Sequence, residues 1–254
     1  MAFASAPRPV VPPLATRAYD RLFYSGMAVT MAVAVLIGFG PTYYFRLMSA
    51  EAPNATISGA PFTTILHLHG LVFSSWVLLF IVQTGLVAAR RVKLHQGLGV
   101  AGAVLGGLMA LIGTVTAIAA ARAGSAPPGA DPLAFLAIPL GDMTMFAIFL
   151  GAALVKRRKK ESHKRLVLLA YISILAAAVA RWPGVLPLGP LGFYGLTFLF
   201  LATAIVYDLV TRRSVSGVYK WGGVLLVLSV PLRLIVSQTS GWRAFAEILI
   251  RYVG

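Results

Sequence analysis

Apolar and polar positions along this chain alternate in blocks, not in helix faces. Seven stretches, about 24–47, 63–89, 97–121, 133–155, 165–182, 191–210 and 219–239, are apolar around the whole circumference of a helix. A transmembrane helix needs roughly 20 such residues, whereas a soluble helix keeps a polar face, and these blocks have none. The pattern predicts an all-α fold: a polytopic membrane helix bundle of seven transmembrane helices. Residues 1–23 precede the bundle, 24–239 form it, and 240–254 follow as an amphipathic helix. In that last segment Trp242, Phe245, Ile248, Leu249 and Tyr252 recur at helical spacing. Arg243, Glu247 and Arg251, four apart, can pair along the other side. The segment is too short to cross a bilayer, so it is expected to lie as an anchor in the outer interface.

Composition supports the membrane reading. The hydrophobic share is 59% and the charged share 11%, against roughly 45–50% and about 25% in soluble domains. That leaves too few charges to solvate a globule. The net charge of +15 would suit nucleic acid, but its placement argues against that partner. Sixteen of the 22 Lys and Arg fall before the first span or after the second, fourth and sixth. Only Arg46, Arg122, Arg181, Arg233, Arg243 and Arg251 fall on the other side. The asymmetry predicts N-in, C-out in a multi-pass protein of the bacterial inner membrane. The chain has no cysteine, which excludes disulfides and thiolate sites. Residues 1–23 are Pro-rich (Pro7, Pro9, Pro12, Pro13) and do not read as a secretory signal. Asn54-Ala-Thr56 matches a glycosylation acceptor, to which a bacterial chain gives no weight.

Two local patterns concern packing. Gly99, Gly102, Gly106, Ala110 and Gly113 form a small-residue stripe on span three that admits a close neighbour. Arg90-Arg91 leading to His95, and Arg157-Arg158 leading to His163, suggest that spans two to five are two similar helical hairpins.

Polar side chains inside a bilayer are costly and mark the places where chemistry could occur. On the outer side, His67 and His69 open span two, and Tyr43 and Tyr44 end span one. Arg181-Trp182 closes span five. By the helical rise, Asp142 lies about 12 Å into span four and Arg233 about 9 Å into span seven. Asp142 follows Pro139 and Arg233 follows Pro231, and proline can break a helix where it lines a cavity. These residues predict an outward pocket formed by spans one, two, four, five and seven, with Arg233 and Arg181 as partners of Asp142. The competing reading is an Asp–Arg pair that only ties helices together. His67 and His69 are a candidate divalent-metal site. However, residues two apart on a helix point about 200° apart, so a regular helix cannot bring both to one ion. On the inner side, His95 and His163 could ligate haem b or bind a quinone. Arg90, Arg91, Lys164 and Arg165 would hold its acidic groups, or the histidines are solvated interfacial residues. Ser74, Ser75, Trp76, Gln83 and Thr84 add polar groups to span two. The indole of Trp76, near mid-membrane, should find a partner.

The run His67-Leu-His69-Gly70, Trp76, Gln83, Arg90-Arg91, His95 and Gly97-Leu-Gly99 resembles a bacterial seven-helix membrane family of no established activity. His163-Lys-Arg-Leu166, Arg181-Trp182 and Tyr207-Asp208 share that resemblance, which covers about residues 38–250. More distantly, the basic turn and helix-opening histidine are similar to membrane proteins linked to b-type cytochromes and oxidase assembly. Those resemblances imply a redox-linked ligand or cofactor and name no reaction. The sequence thus predicts a membrane protein that binds a small ligand or cofactor (metal, haem or quinone). The alternatives are an accessory subunit with a membrane protein partner or a second copy of itself, and a small transporter.

Overall fold

The computed structural model describes residues 13–48 and 63–252, except for the side chains of 13–18 and 47. Residues 1–12 and the Asn54-Ala-Thr56 acceptor lie outside the described residues. Helix α1 (Pro13–Phe39) runs into a π turn, Gly40–Tyr44. Next come α2 (Thr64–Ala88), α3 (Val92–Arg122), a single-turn α4 (Pro132–Phe135), α5 (Ala137–Val155) and α6 (Lys160–Val179). The chain ends with α7 (Gly189–Arg212), α8 (Gly217–Val236) and α9 (Ser240–Tyr252). Among the described residues there is no strand. Seven segments are long and apolar enough to span a membrane. Exposed Leu71, Leu78, Val100, Leu111, Leu228 and Leu232 give the bundle an apolar exterior that only lipid would solvate. The protein is an all-α membrane helix bundle.

The helices outrun their apolar blocks at the basic end. α3 begins at Val92 and α6 at Lys160, each about a turn earlier than hydropathy alone suggests. Lys and Arg are good helix formers whose stems lie along apolar surface while the heads reach water. His95 and His163 are therefore each the fourth residue of a helix, at matching positions in the two hairpins α2–α3 and α5–α6.

α6 is the hub, in contact with α1, α5, α7 and α8. Its Leu168, Leu169, Ile172 and Leu175 are fully enclosed. α1 packs on α2 and α6, and α3 bridges α2 and α5, so α1, α2, α3, α5 and α6 enclose a common space. Close approach depends on glycine at two crossings. A Cβ on Gly38 would lie 2.2 Å from the Ala178 carbonyl oxygen, and one on Gly113 would lie 2.4 Å from Met143 Sδ. The span that holds Pro139 is interrupted at Leu136, between α4 and α5, and Pro139 has no N–H to offer the Phe135 carbonyl across that break. Pro139 sits in the first turn of α5, where a missing N–H costs nothing. Pro231 lies inside α8, whose helix continues through it.

α9 packs on α4 and on the C-terminal end of α3. Ala246, Trp242, Leu249 and Ile250 pack against Ile118, Ala121 and Leu136. Trp242 Nε1 donates to the Leu133 carbonyl at 2.8 Å, and Arg243 bonds Asp131 at 3.4 Å and Glu247 at 3.3 Å. Phe245, Ile248 and Tyr252 are exposed. The helix thus has a bundle-facing side and a second apolar side free for the membrane interface.

Candidate functional site

The enclosed space is a chamber of about 480 Å³, a size typical of small-molecule sites. It runs from Thr63, Ser125 and Pro127 at the outer loops down to Trp76 and Tyr171. Trp76 is twelve residues along α2 from Thr64, about 18 Å by helical rise, so the chamber reaches mid-bilayer. Its walls are mostly apolar, with Phe39, Phe73, Phe135, Ile138, Ile174 and Leu175 among them.

The two tyrosines after α1 are aimed by the π turn, in which the Phe45 N–H bonds the Gly40 carbonyl five residues back. The Tyr43 ring covers Gly70, where a Cβ would lie 2.5 Å from its hydroxyl oxygen, and its hydroxyl lies 3.3 Å from His67 Nδ1. One turn deeper, the Tyr44 hydroxyl meets Ser74 Oγ at 2.6 Å. His69 lines the chamber with its ring stacked on Phe73 at 3.9 Å, whereas His67 does not line it. The two histidines therefore do not converge on one ion. Among the described residues no group of three or more metal-capable side chains forms. The helical periodicity that weakened the His-x-His reading is the physical reason.

Asp142 and Arg233 do converge. Arg233 Nη1 donates to Asp142 Oδ1 at 2.6 Å, to the Ile138 carbonyl at 3.1 Å and to the Tyr194 hydroxyl oxygen at 2.9 Å. Tyr194 in turn donates to Asp142 Oδ1 at 2.6 Å. Arg233 Nη2 reaches Ser229 Oγ and Nε the Ser229 carbonyl, so this guanidinium is saturated within the protein. Two expectations change as a result. Arg233 does not line the chamber, and α3 replaces α8 in its walls, although Asp142 remains on its surface. Arg181 is not a partner of Asp142. It lies beyond the end of α6, turns back to donate to the Ala177 carbonyl, and holds its guanidinium 4.6 Å over the Phe39 ring.

Four polar atoms on the chamber wall are buried without a hydrogen-bond partner among the described residues: His69 Nδ1, Trp76 Nε1, Thr116 Oγ1 and Tyr171 Oη. The indole expected to find a partner in its own protein has none. Thr116 and Tyr171 were not singled out from the sequence, although each is a polar group inside an apolar run. Tyr194 carried no signal apart from its aromatic neighbours.

The inner histidines form a different kind of arrangement. The rings of His95 and His163 lie 6.4 Å apart at 74°. His163 Nδ1 sits 2.9 Å from the Ala153 carbonyl, to which it donates, leaving Nε2 with a lone pair. With its amide oriented so that the oxygen accepts from the Gly99 N–H at 3.1 Å, Gln83 donates to His95 Nδ1 at 2.7 Å. Both Nδ1 atoms are thus engaged within the protein. The nearby cations are also committed. Lys164 pairs with Asp20 and Glu161, Arg165 with Asp208 and Glu161, and Arg212 with Asp20 and Asp208. Tyr207 donates to Asp20, and Asp208 also accepts from the Ser216 N–H. Lys164 and Arg165 are therefore not free to hold the acidic groups of a cofactor. This clamp joins α1, α6 and α7, and its acid Asp20 was not singled out from the sequence.

No protein-family model, curated protein or solved structure matches the chain.

Proposed function

We propose that this membrane protein binds a small, largely apolar molecule bearing hydrogen-bond acceptors in the chamber between α1, α2, α3, α5 and α6. The observation that carries the reading is the set of buried, unpartnered polar atoms on the chamber wall. A buried donor without a partner costs about 1–3 kcal/mol, and four on one cavity form a template for a ligand. The indole N–H of Trp76 can only donate, so the molecule carries an acceptor at its buried end. A quinone ring or another carbonyl-bearing ligand suits that position better than a bare hydrocarbon. The N-in orientation and the bacterial inner membrane follow from the charge asymmetry and belong to the same proposal, as does a redox-linked role through the family resemblance.

The test uses menadione, a neutral diketone that quenches tryptophan fluorescence, with the protein in nanodiscs. The chain has no cysteine for it to alkylate. Wild type should show saturable quenching, and Thr116→Phe, which fills the chamber, should abolish it. Tyr171→Phe should weaken it about 3- to 10-fold, the worth of one hydrogen bond. Equal, non-saturable quenching in all three proteins sinks the reading.

A further inference from the structure

Four buried or half-buried cations in this protein sit on carboxylates. Lys164, Arg165, Arg212 and Arg233 each have a carboxylate in direct contact. Arg181 has none among the described residues. It donates to the Ala177 carbonyl, lies over the Phe39 ring and lines the chamber. Arg181 is half-buried, and a guanidinium presents a fork of N–H donors that fits a planar or tetrahedral oxyanion. His69, on the same chamber wall, offers Nδ1 as a second unpartnered group.

The chamber is therefore polar at both ends and apolar between them. Arg181, just past the C-terminal end of α6, marks one end of the chamber and Tyr171, within α6, the other. The ten residues between them correspond to about 15 Å of helix. A volume of about 480 Å³ is that of a small-molecule site and suits a ligand with one short chain. We infer that the ligand is a single-chain amphiphilic anion. Its oxyanion head, a carboxylate or a phosphate, sits on the Arg181 fork, its apolar body lies along Phe39, Phe73 and Ile174, and an oxygen at its far end meets Trp76 and Tyr171. This inference rests on the chamber being a ligand site and adds the charge and shape of the ligand.

The experiment measures binding to the full chain in nanodiscs, corrected for partitioning into empty discs. The probes are ω-hydroxydodecanoate, dodecanoate, dodecyl phosphate, dodecanol and dodecyltrimethylammonium. Wild type should prefer the anions to dodecanol and to the cation by about tenfold or more, the range of a charge-assisted hydrogen bond. Arg181→Gln should erase that preference, and Arg181→Lys, which keeps the charge and loses the fork, should retain part of it. The ω-hydroxyl should strengthen binding over dodecanoate in wild type and not in Tyr171→Phe. The ratio of dodecyl phosphate to dodecanoate identifies the head group. If dodecanol binds as well as the anions while Thr116→Phe still blocks it, the anion assignment falls and the chamber reading stands. If Thr116→Phe blocks none of the probes, the chamber reading itself falls.

Discussion

Asp142 Oδ1 accepts from both Arg233 and Tyr194, in a position almost closed to solvent. Removing one member of such a pair leaves a buried charge with nothing to balance it, at a cost of about 3–5 kcal/mol. Arg233→Leu should therefore lower the unfolding midpoint sharply in detergent. Asp142→Leu combined with Arg233→Leu should recover much of the loss, which reversible unfolding of wild type and the two variants will show. The polar residues themselves were legible, because Asp142, Arg233, His69 and Arg181 interrupt apolar runs. Their pairing was not, because it depends on how each helix is rotated about its axis. Arg181 was a plausible partner for Asp142 by depth alone, yet it curls back over its own helix end to Ala177 and Phe39. Thr116 and Tyr171 were overlooked because a hydroxyl in a membrane helix usually bonds within its own helix. Thr30, Thr84 and Thr144 do that here, each to the carbonyl four residues back.

Among the elements, the contact of α1 with α6 sets the inner wall of the chamber. Gly38 allows the Ala178 carbonyl to approach within 2.2 Å of the point where a Cβ would sit. Gly38→Ala must push these helices apart, and overpacking of this kind costs about 1–3 kcal/mol. Gly85→Ala meets nothing within 4 Å and should be neutral or slightly stabilising, since alanine favours a helix by about 1 kcal/mol. Thermal unfolding of the two variants side by side checks the contrast. The seven spans could be read from hydropathy because lipid demands unbroken apolar length. The π turn at Gly40–Tyr44 could not. An extra residue in one turn leaves the hydropathy pattern almost unchanged, and only Gly40-Pro41 marks the place. Similarly, the sequence suggested that α9 is amphipathic but not which of its two apolar sides meets the bundle.

At the scale of the molecule, charge is distributed unequally between the two ends. Arg90, Arg91 and Lys93 follow α2, and Lys156, Arg157, Arg158, Lys159 and Lys160 follow α5, all exposed. Those two turns should face the cytoplasm. Because the chain has no cysteine, a single thiol reports without background. Lys159→Cys should react with an impermeant maleimide only after the inner leaflet is opened, and Ser240→Cys should react in intact cells. The reverse pattern would invert the topology. The matched hairpins α2–α3 and α5–α6 were legible as a repeated basic turn, but the Asp20–Lys164–Arg165–Asp208 clamp was not, since it joins residues up to 188 positions apart. The bracing by α9 has a mechanical consequence for the chamber. Trp242 and Arg243 pin the rim formed by the end of α3 and by α4, while the opposite rim rests on the tyrosines of the π turn. The two jaws differ in stiffness: separating Tyr44 from Ser74 sacrifices about 1 kcal/mol, whereas shifting the other jaw would strip a whole helix from its seat. A guest larger than the resting aperture is therefore admitted by yielding on the tyrosine side.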